Sequence, residues 1–131
     1  MSGIVAAGVG CRKGCGADEI VALVRLALNE AGLDEMTLSG LFAPAFKHGE
    51  SGLGQAAELL GVPLVLIPEA VLKAEEPRVL TTSEKVVALT GLASIAETAA
   101  LAGAGPASRL IRPRIAGKSA TCAIAISGDA P

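Results

Sequence analysis

Between Ile4 and Ile67 short, continuously apolar runs alternate with longer stretches whose apolar residues recur at helical spacing. Ile4 to Val9 ends in glycines and reads as a buried strand, followed by a loop over Gly10 to Gly16. Ile20, Val21, Leu23, Val24, Ala27, Leu28 and Ala31 predict an amphipathic helix over Ala17 to Ala31, stopped by Gly32. Thr37 to Phe42 reads as a second strand, and Phe42 to Gly49 as a loop containing Pro44. A second helix over Glu50 to Leu60 sets Leu53, Ala56, Ala57 and Leu60 on one side and stops at Gly61. Val62 to Ile67 is a third strand, halted by Pro68. Such alternation requires a parallel sheet with right-handed crossovers.

The second half follows a different plan. Glu69 to Ala74 and Ser83 to Thr90 read as short helices. Ser94 to Ala102 is a firmer one, because Ser94-Ile95-Ala96-Glu97 has capping-box spacing. Its Ala-rich face allows close approach to a sheet. Leu110 to Ile115 and Ala120 to Ser127 flank Ala116-Gly117-Lys118 as a hairpin does, and the second of these strands is apolar enough to be buried on both faces. The expected fold is a single α/β domain over residues 1–131, in three layers, with a mixed sheet of about five strands and a C-terminal β-hairpin. A chain of this length buries about two thirds of its unfolded surface, enough for a core without staples. Aromatic residues are only 2% of it, Phe42 and Phe46, so the core must be built from Ile, Val, Leu and Ala. The same scarcity argues against base-stacking nucleic-acid binders. With 51% hydrophobic residues the chain is not disordered.

A net charge of -2 gives no general attraction to nucleic acid. The charge is unevenly placed, however: from Thr98 to Gly128 there is no acid, while Arg109, Arg112, Arg114 and Lys118 all fall there. Cys11, Cys15 and Cys122 are expected to be reduced thiols in a chain large enough not to need disulfides. Neither a targeting segment nor an apolar run near the roughly 20 residues of a membrane span is visible. A cytoplasmic protein without membrane association is the expectation.

Five places could carry chemistry. Gly8-Val9-Gly10-Cys11-Arg12-Lys13-Gly14-Cys15-Gly16 joins a strand to a helix N-terminus, where glycine amides, the helix dipole, Arg12 and Lys13 suit an anion or carboxylate. The plain structural alternative is a tight turn with solvated charges. The spacing fits neither a P-loop nor a dinucleotide fingerprint. Lys47-His48-Gly49-Glu50-Ser51-Gly52 holds the only histidine; Lys47 and Glu50 could face a cleft, although Glu50 also suits a first helical turn for structural reasons alone. A catalytic Ser51 is disfavoured, since triad members converge from separate segments. Glu97 and Ser83 each have a capping explanation. The three cysteines and one histidine do not complete a structural zinc site. Arg112 and Arg114, two apart on an extended strand, would share one face and could grip carboxylates bidentately, or simply be solvated.

Together these segments resemble one family. Gly8-Val9-Gly10-Cys11-Arg12-Lys13-Gly14 after an opening strand, Lys47 with Glu50 and Leu53, Ser83 with Val86, Gly91 followed by Ile95-Ala96-Glu97-Thr98-Ala99-Ala100-Leu101, and Thr121 with Ala123-Ile124-Ala125 are similar, in order and spacing, to the CobE/CbiG C-terminal family of cobalamin biosynthesis. Each motif is short and glycine- or alanine-rich; the ordered combination spans essentially the whole chain. The resemblance implies a role in making the corrin ring. In longer members of the anaerobic route it implies hydrolytic opening of a ring-bound δ-lactone with loss of a two-carbon aldehyde. Those members carry N-terminal domains that this sequence lacks, so the likeness is to the stand-alone type of the aerobic route, for which the family leaves the reaction open. Gly16 departs from the Ser or Thr helix cap common in the family, and Glu19 keeps half of the capping box.

Two readings follow. In the first, the chain binds or acts on a precorrin or corrinoid, a macrocycle edged with carboxylates, through Gly8, Gly10, Cys11, Arg12, Lys13, Gly14, Lys47, Glu50, Ser83, Glu97, Arg112 and Arg114. Catalysis would then fall to Glu50 or His48 as general base, with Lys47 or loop amides stabilising an oxyanion, and without cofactor or metal. In the second, the chain is a non-catalytic partner that docks on a corrin-pathway enzyme through the edge of the hairpin and the Ala-rich helix. A weaker third reading makes Gly8 to Gly16 a phosphate or nucleotide site.

Overall fold

A computed structural model describes residues 3–45, 51–79 and 94–128 of the chain. β1 spans Val5–Cys11, α1 Ala17–Glu30, β2 Gly40–Pro44, α2 Ser51–Leu60, β3 Leu64–Ile67 and α3 Glu69–Ala74. Beyond residue 93 come α4 (Ile95–Ala104), β4 (Arg109–Ala116) and β5 (Ala120–Ile126). The sheet has the order β3-β2-β1-β5-β4. β1 pairs parallel with β2, and β2 with β3, while β5 runs antiparallel to both β1 and β4. The result is the expected three-layer α/β domain with a mixed five-stranded sheet and a hairpin at its C-terminal end.

The two faces of the sheet differ in side-chain size. Val5, Ala7 and Val9 of β1, with Cys122, Ile124 and Ile126 of β5, pack under Ile20, Val24 and Leu28 of α1 and Leu53 of α2. On the opposite face Ala6, Ala123 and Ala125 meet Ala96, Ala99, Ala100 and Leu101 of α4. Small residues on both sides bring helix and strand backbones together. A Cβ at Gly8 would stand 2.0 Å from the Ala96 carbonyl oxygen and 2.4 Å from the Ala100 nitrogen. The Ala-rich face of the helix is therefore used up by the sheet. Ala96, Ala99 and Ala100 are completely buried, which removes that face as a docking surface.

Local differences from the sequence reading have identifiable causes. β1 continues through Gly10 and Cys11 because these pair with Thr121 and Ala120 of β5, so the loop starts at Arg12. Thr37 is not in a strand. Asp34 caps a short 3-10 turn over Glu35–Thr37, accepting from the Met36 N–H at 3.0 Å, and β2 begins only at Gly40. Pro44 is the last residue of β2, level with Ile67, rather than part of a loop. Val62 belongs to the exit of α2: its N–H returns to the Ala57 carbonyl while Gly61 takes a φ of +71°, a glycine-terminated helix end. The segment expected as a helix over Ser83 to Thr90 lies outside the described residues.

Candidate functional site

The parallel strands β1, β2 and β3 end at one end of the sheet. In open α/β sheets, ligands lie outside such carboxyl ends, where connections leave toward opposite faces. Here α1 leaves β1 on one face, while α4 starts on the other: a Cβ at Gly10 would stand 3.5 Å from Ile95 Cγ2. The turn after β1 is firmly held. The Arg12 N–H donates to the Ser119 carbonyl at 2.8 Å, and the Cys15 N–H to the Arg12 carbonyl at 3.1 Å. Gly14 takes a φ of +80°, which a side chain would resist. α2 begins directly against this turn, since a Cβ at Gly52 would stand 2.3 Å from the Cys15 carbonyl oxygen.

The N-termini of α1 and α2 thus meet at the Arg12–Gly16 turn, and that of α4 lies beside Gly10 near the end of β1. Asp18 and Glu19 occupy the first turn of α1 and Glu97 that of α4; among the described residues the first turn of α2 carries no acid, and in the sequence Glu50 immediately precedes it. Arg12 and Lys13 are exposed, and neither they nor Arg114 and Lys118 form an ion pair among the described residues.

The other candidates separate. Gly8 and Gly10 are buried inside β1, where the absence of a Cβ serves packing against α4 and Thr121 rather than a loop that cradles an anion. Cys11 closes β1 and is half-buried beside the turn. Arg112 is turned away from the rim. It sits level with Ile124 in mid-strand, and its Nε donates at 2.6 Å to Glu30, the last residue of α1. Register irregularities flank Arg112, one of them before Ile115, so the strict alternation that would set Arg112 and Arg114 on one face is broken. Lys47, His48, Glu50 and Ser83 lie outside the described residues.

Glu97 does more than a capping box asks. Ser94 Oγ accepts the Glu97 N–H at 3.4 Å, as the spacing predicts. The Glu97 carboxylate, completely buried, also accepts the backbone N–H of Arg114 at 2.9 Å and so ties α4 to the irregular part of β4.

Glu19 is legible in the sequence only as half of a capping box, yet it clasps the β4–β5 turn. Its carboxylate oxygens accept from the Ser119 hydroxyl and the Ser119 N–H, each at 2.6 Å. These bonds, the hydroxyl first, hold the Glu19 carboxyl below its usual pKa, helped by the Ala120 N–H and the charge of Lys118. Because the folded value is the lower one, the clasp stabilises the fold fully above the ordinary glutamate range. It is lost as pH falls through the depressed value. In an NMR pH titration, the Ser119 amide should therefore shift with a midpoint below that of an ordinary glutamate; a midpoint at or above it would contradict the clasp.

Residues 5–125 match the family described as cobalamin synthesis G C-terminus. The chain belongs to this family. A Sinorhizobium protein, CobE, is 36% identical over 118 residues, which cover 90% of this chain and 77% of that one. The crystal structure of CobE, a protein from the cobalamin (vitamin B12) biosynthetic pathway, matches with a TM-score of 0.88 at 36% identity, over 96% of this chain and 92% of the other. The cobalamin biosynthesis protein ChiG from Agrobacterium tumefaciens str. C58 matches with a TM-score of 0.76 at 34% identity, over 96% of this chain and all (100%) of that one. A cobalamin biosynthesis protein G homologue from Sulfolobus solfataricus, 20% identical, shares the fold at a TM-score of 0.68 over 94% of this chain and 36% of its own.

This cobalamin synthesis G C-terminus domain is thus a protein of the cobalamin biosynthesis pathway. Among its described residues no helix is long and apolar enough to cross a membrane, and no three His, Cys, Asp or Glu side chains gather as metal ligands. Burial pushes the Cys122 thiol up to about 12, so it stays protonated and unreactive at neutral pH. Iodoacetamide should leave Cys122 unlabelled in the native protein and label it in urea, as peptide mass spectrometry would show; native labelling at the rate of a small thiol would contradict its burial.

Proposed function

We propose that the chain binds a precorrin or corrinoid intermediate by its carboxylate rim, at the carboxyl end of the parallel strands. One observation carries this reading: Arg12 and Lys13 stand exposed, without an ion pair among the described residues, on a turn braced from both sides. Guanidinium and ammonium groups held in place suit carboxylates. With aromatics at 2%, a flat macrocycle would be held by its edge and by aliphatic contacts rather than by stacking. Were the chain also catalytic, Glu50 or His48 would act as its general base. The docking alternative has less support. The hairpin's outer strand β4 carries Pro113 and register irregularities, features that protect a sheet edge from pairing.

The test is a titration with uroporphyrin I, a porphyrin edged with acetates and propionates, and with purified precorrin intermediates, followed by absorbance and by gel filtration. The chain lacks Trp and Tyr, so colour that travels with it belongs to the ligand. The Arg12→Ala/Lys13→Ala double variant should bind about tenfold more weakly or worse. No retention of any of these macrocycles would remove the proposal.

A further inference from the structure

We infer that Lys118, on the β4–β5 turn, is a further anion-contacting residue of the rim, and that Glu19 is the positioning residue that keeps it there. The inference rests on the rim-binding reading above and adds a group from a distant part of the chain. A lysine on a short hairpin turn is ordinarily a solvated charge on a mobile tip. This turn is different. Ser119 directs its N–H and its hydroxyl into the Glu19 carboxylate, across a sequence separation of 100 residues. The same residue's carbonyl accepts the Arg12 N–H at 2.8 Å. The Gly117 N–H returns to the Ala120 carbonyl at 2.7 Å, and a Cβ at Gly117 would stand 2.9 Å from Glu19 Oε2. The turn is thus pressed against the first turn of α1 on one side and joined to the Arg12 turn on the other.

The consequence is electrostatic. Arg12, Lys13 and Lys118 are exposed on two adjoining turns, in a chain whose net charge is -2. Like charges collected on braced backbone repel one another, and that repulsion becomes useful only when a polyanion spans them. Glu19 stays ionised while its oxygens accept from Ser119, and its attraction to Lys118 offsets part of the collection, leaving Arg12 and Lys13 beside it. Asp18, next to it, lies on the same helical turn and is the acid that a ligand carboxylate would have to avoid.

Uroporphyrin I serves as the probe, titrated against wild type, Lys118→Ala, Glu19→Ala, the Lys118→Ala/Glu19→Ala double variant and Glu19→Gln. Lys118→Ala should weaken binding about tenfold and flatten its salt dependence, since one charge contact is gone. Glu19→Ala should weaken it similarly, and the second substitution should then add less than about twofold, because Lys118 is no longer placed. Glu19→Gln keeps an acceptor for the Ser119 N–H and should recover part of the affinity, which a loss of folding would not allow. Lys118→Ala sits on an exposed turn and tests the contact even if Glu19→Ala fails to fold. Should Lys118→Ala bind and respond to salt as wild type does while Arg12→Ala/Lys13→Ala loses affinity, the inference falls and the rim reading stands. Independent, additive losses at Glu19 and Lys118 would remove the positioning role. Absence of probe binding by wild type would remove both.

Discussion

Gly8→Ala should destabilise the protein by about 3 kcal/mol, the upper end of what overpacking a core usually costs. The added methyl meets backbone, not a side chain that could swing aside: the Ala96 carbonyl oxygen at 2.0 Å and the Ala100 nitrogen at 2.4 Å. Relief requires the whole of α4 to lift from β1, and that separates Ala6, Ala123 and Ala125 from Ala96, Ala99 and Ala100. Dispersion contacts between such small residues fade steeply with distance, so a lift of a fraction of an ångström is felt along the helix. In urea denaturation the midpoint should fall with little change in slope. Gly54→Ala is the internal control. Gly54 lies in α2, where an added methyl would meet nothing within 4 Å, and alanine there should raise stability by about 0.5–1 kcal/mol. Equal effects at the two glycines would refute the close approach of α4 to the sheet.

Glu97→Ala should cost about 2–4 kcal/mol, because it leaves the Arg114 N–H without its carboxylate partner and opens a space at a completely buried position. Glu97→Gln should cost clearly less, since an amide oxygen can still accept that bond. The two variants therefore separate the loss of a hydrogen bond from the loss of a charge. Chemical denaturation gives the stabilities, and amide exchange at Arg114 gives the local effect. Protection at Arg114 that survives Glu97→Ala would show that the bond is not what holds β4 against α4.

Much of this fold is legible in the residues, for reasons that differ by element. α1 and α2 announce themselves because one face is apolar and a glycine ends each. The close packing of α4 is readable from Ala96, Ala99 and Ala100, though its counterpart, Gly8, looks in the sequence like part of a ligand loop. A glycine wanted by a loop and a glycine wanted by a helix crossing overhead are the same letter. Thr37 and Leu38 read as strand because they are branched and apolar; the Asp34 cap that turns this stretch into a 3-10 turn is a local hydrogen bond with no periodicity to betray it. The candidate site is legible at Arg12 and Lys13 and obscure elsewhere. Glu19 and Glu97 both stand at capping-box spacing, which says nothing of the carboxylates' distant partners, Ser119 and Arg114. Arg112 looks available in the sequence because Glu30, which it meets, lies 82 residues away.

The strand order bears on how the chain reaches this state. β1 is central, yet it lies between β2 and β5, its antiparallel partner, with Ile4 and Ser127 bonded across a separation of 123 residues. Until β5 has emerged from the ribosome, the first half of the protein can form its parallel pairs but must leave one whole edge of β1 open. Such an edge is a template for wrong pairing, and contacts this distant close slowly. Refolding should accordingly be slow for a domain of this size and sensitive to protein concentration, with the last step being the insertion of the hairpin beside the oldest strand.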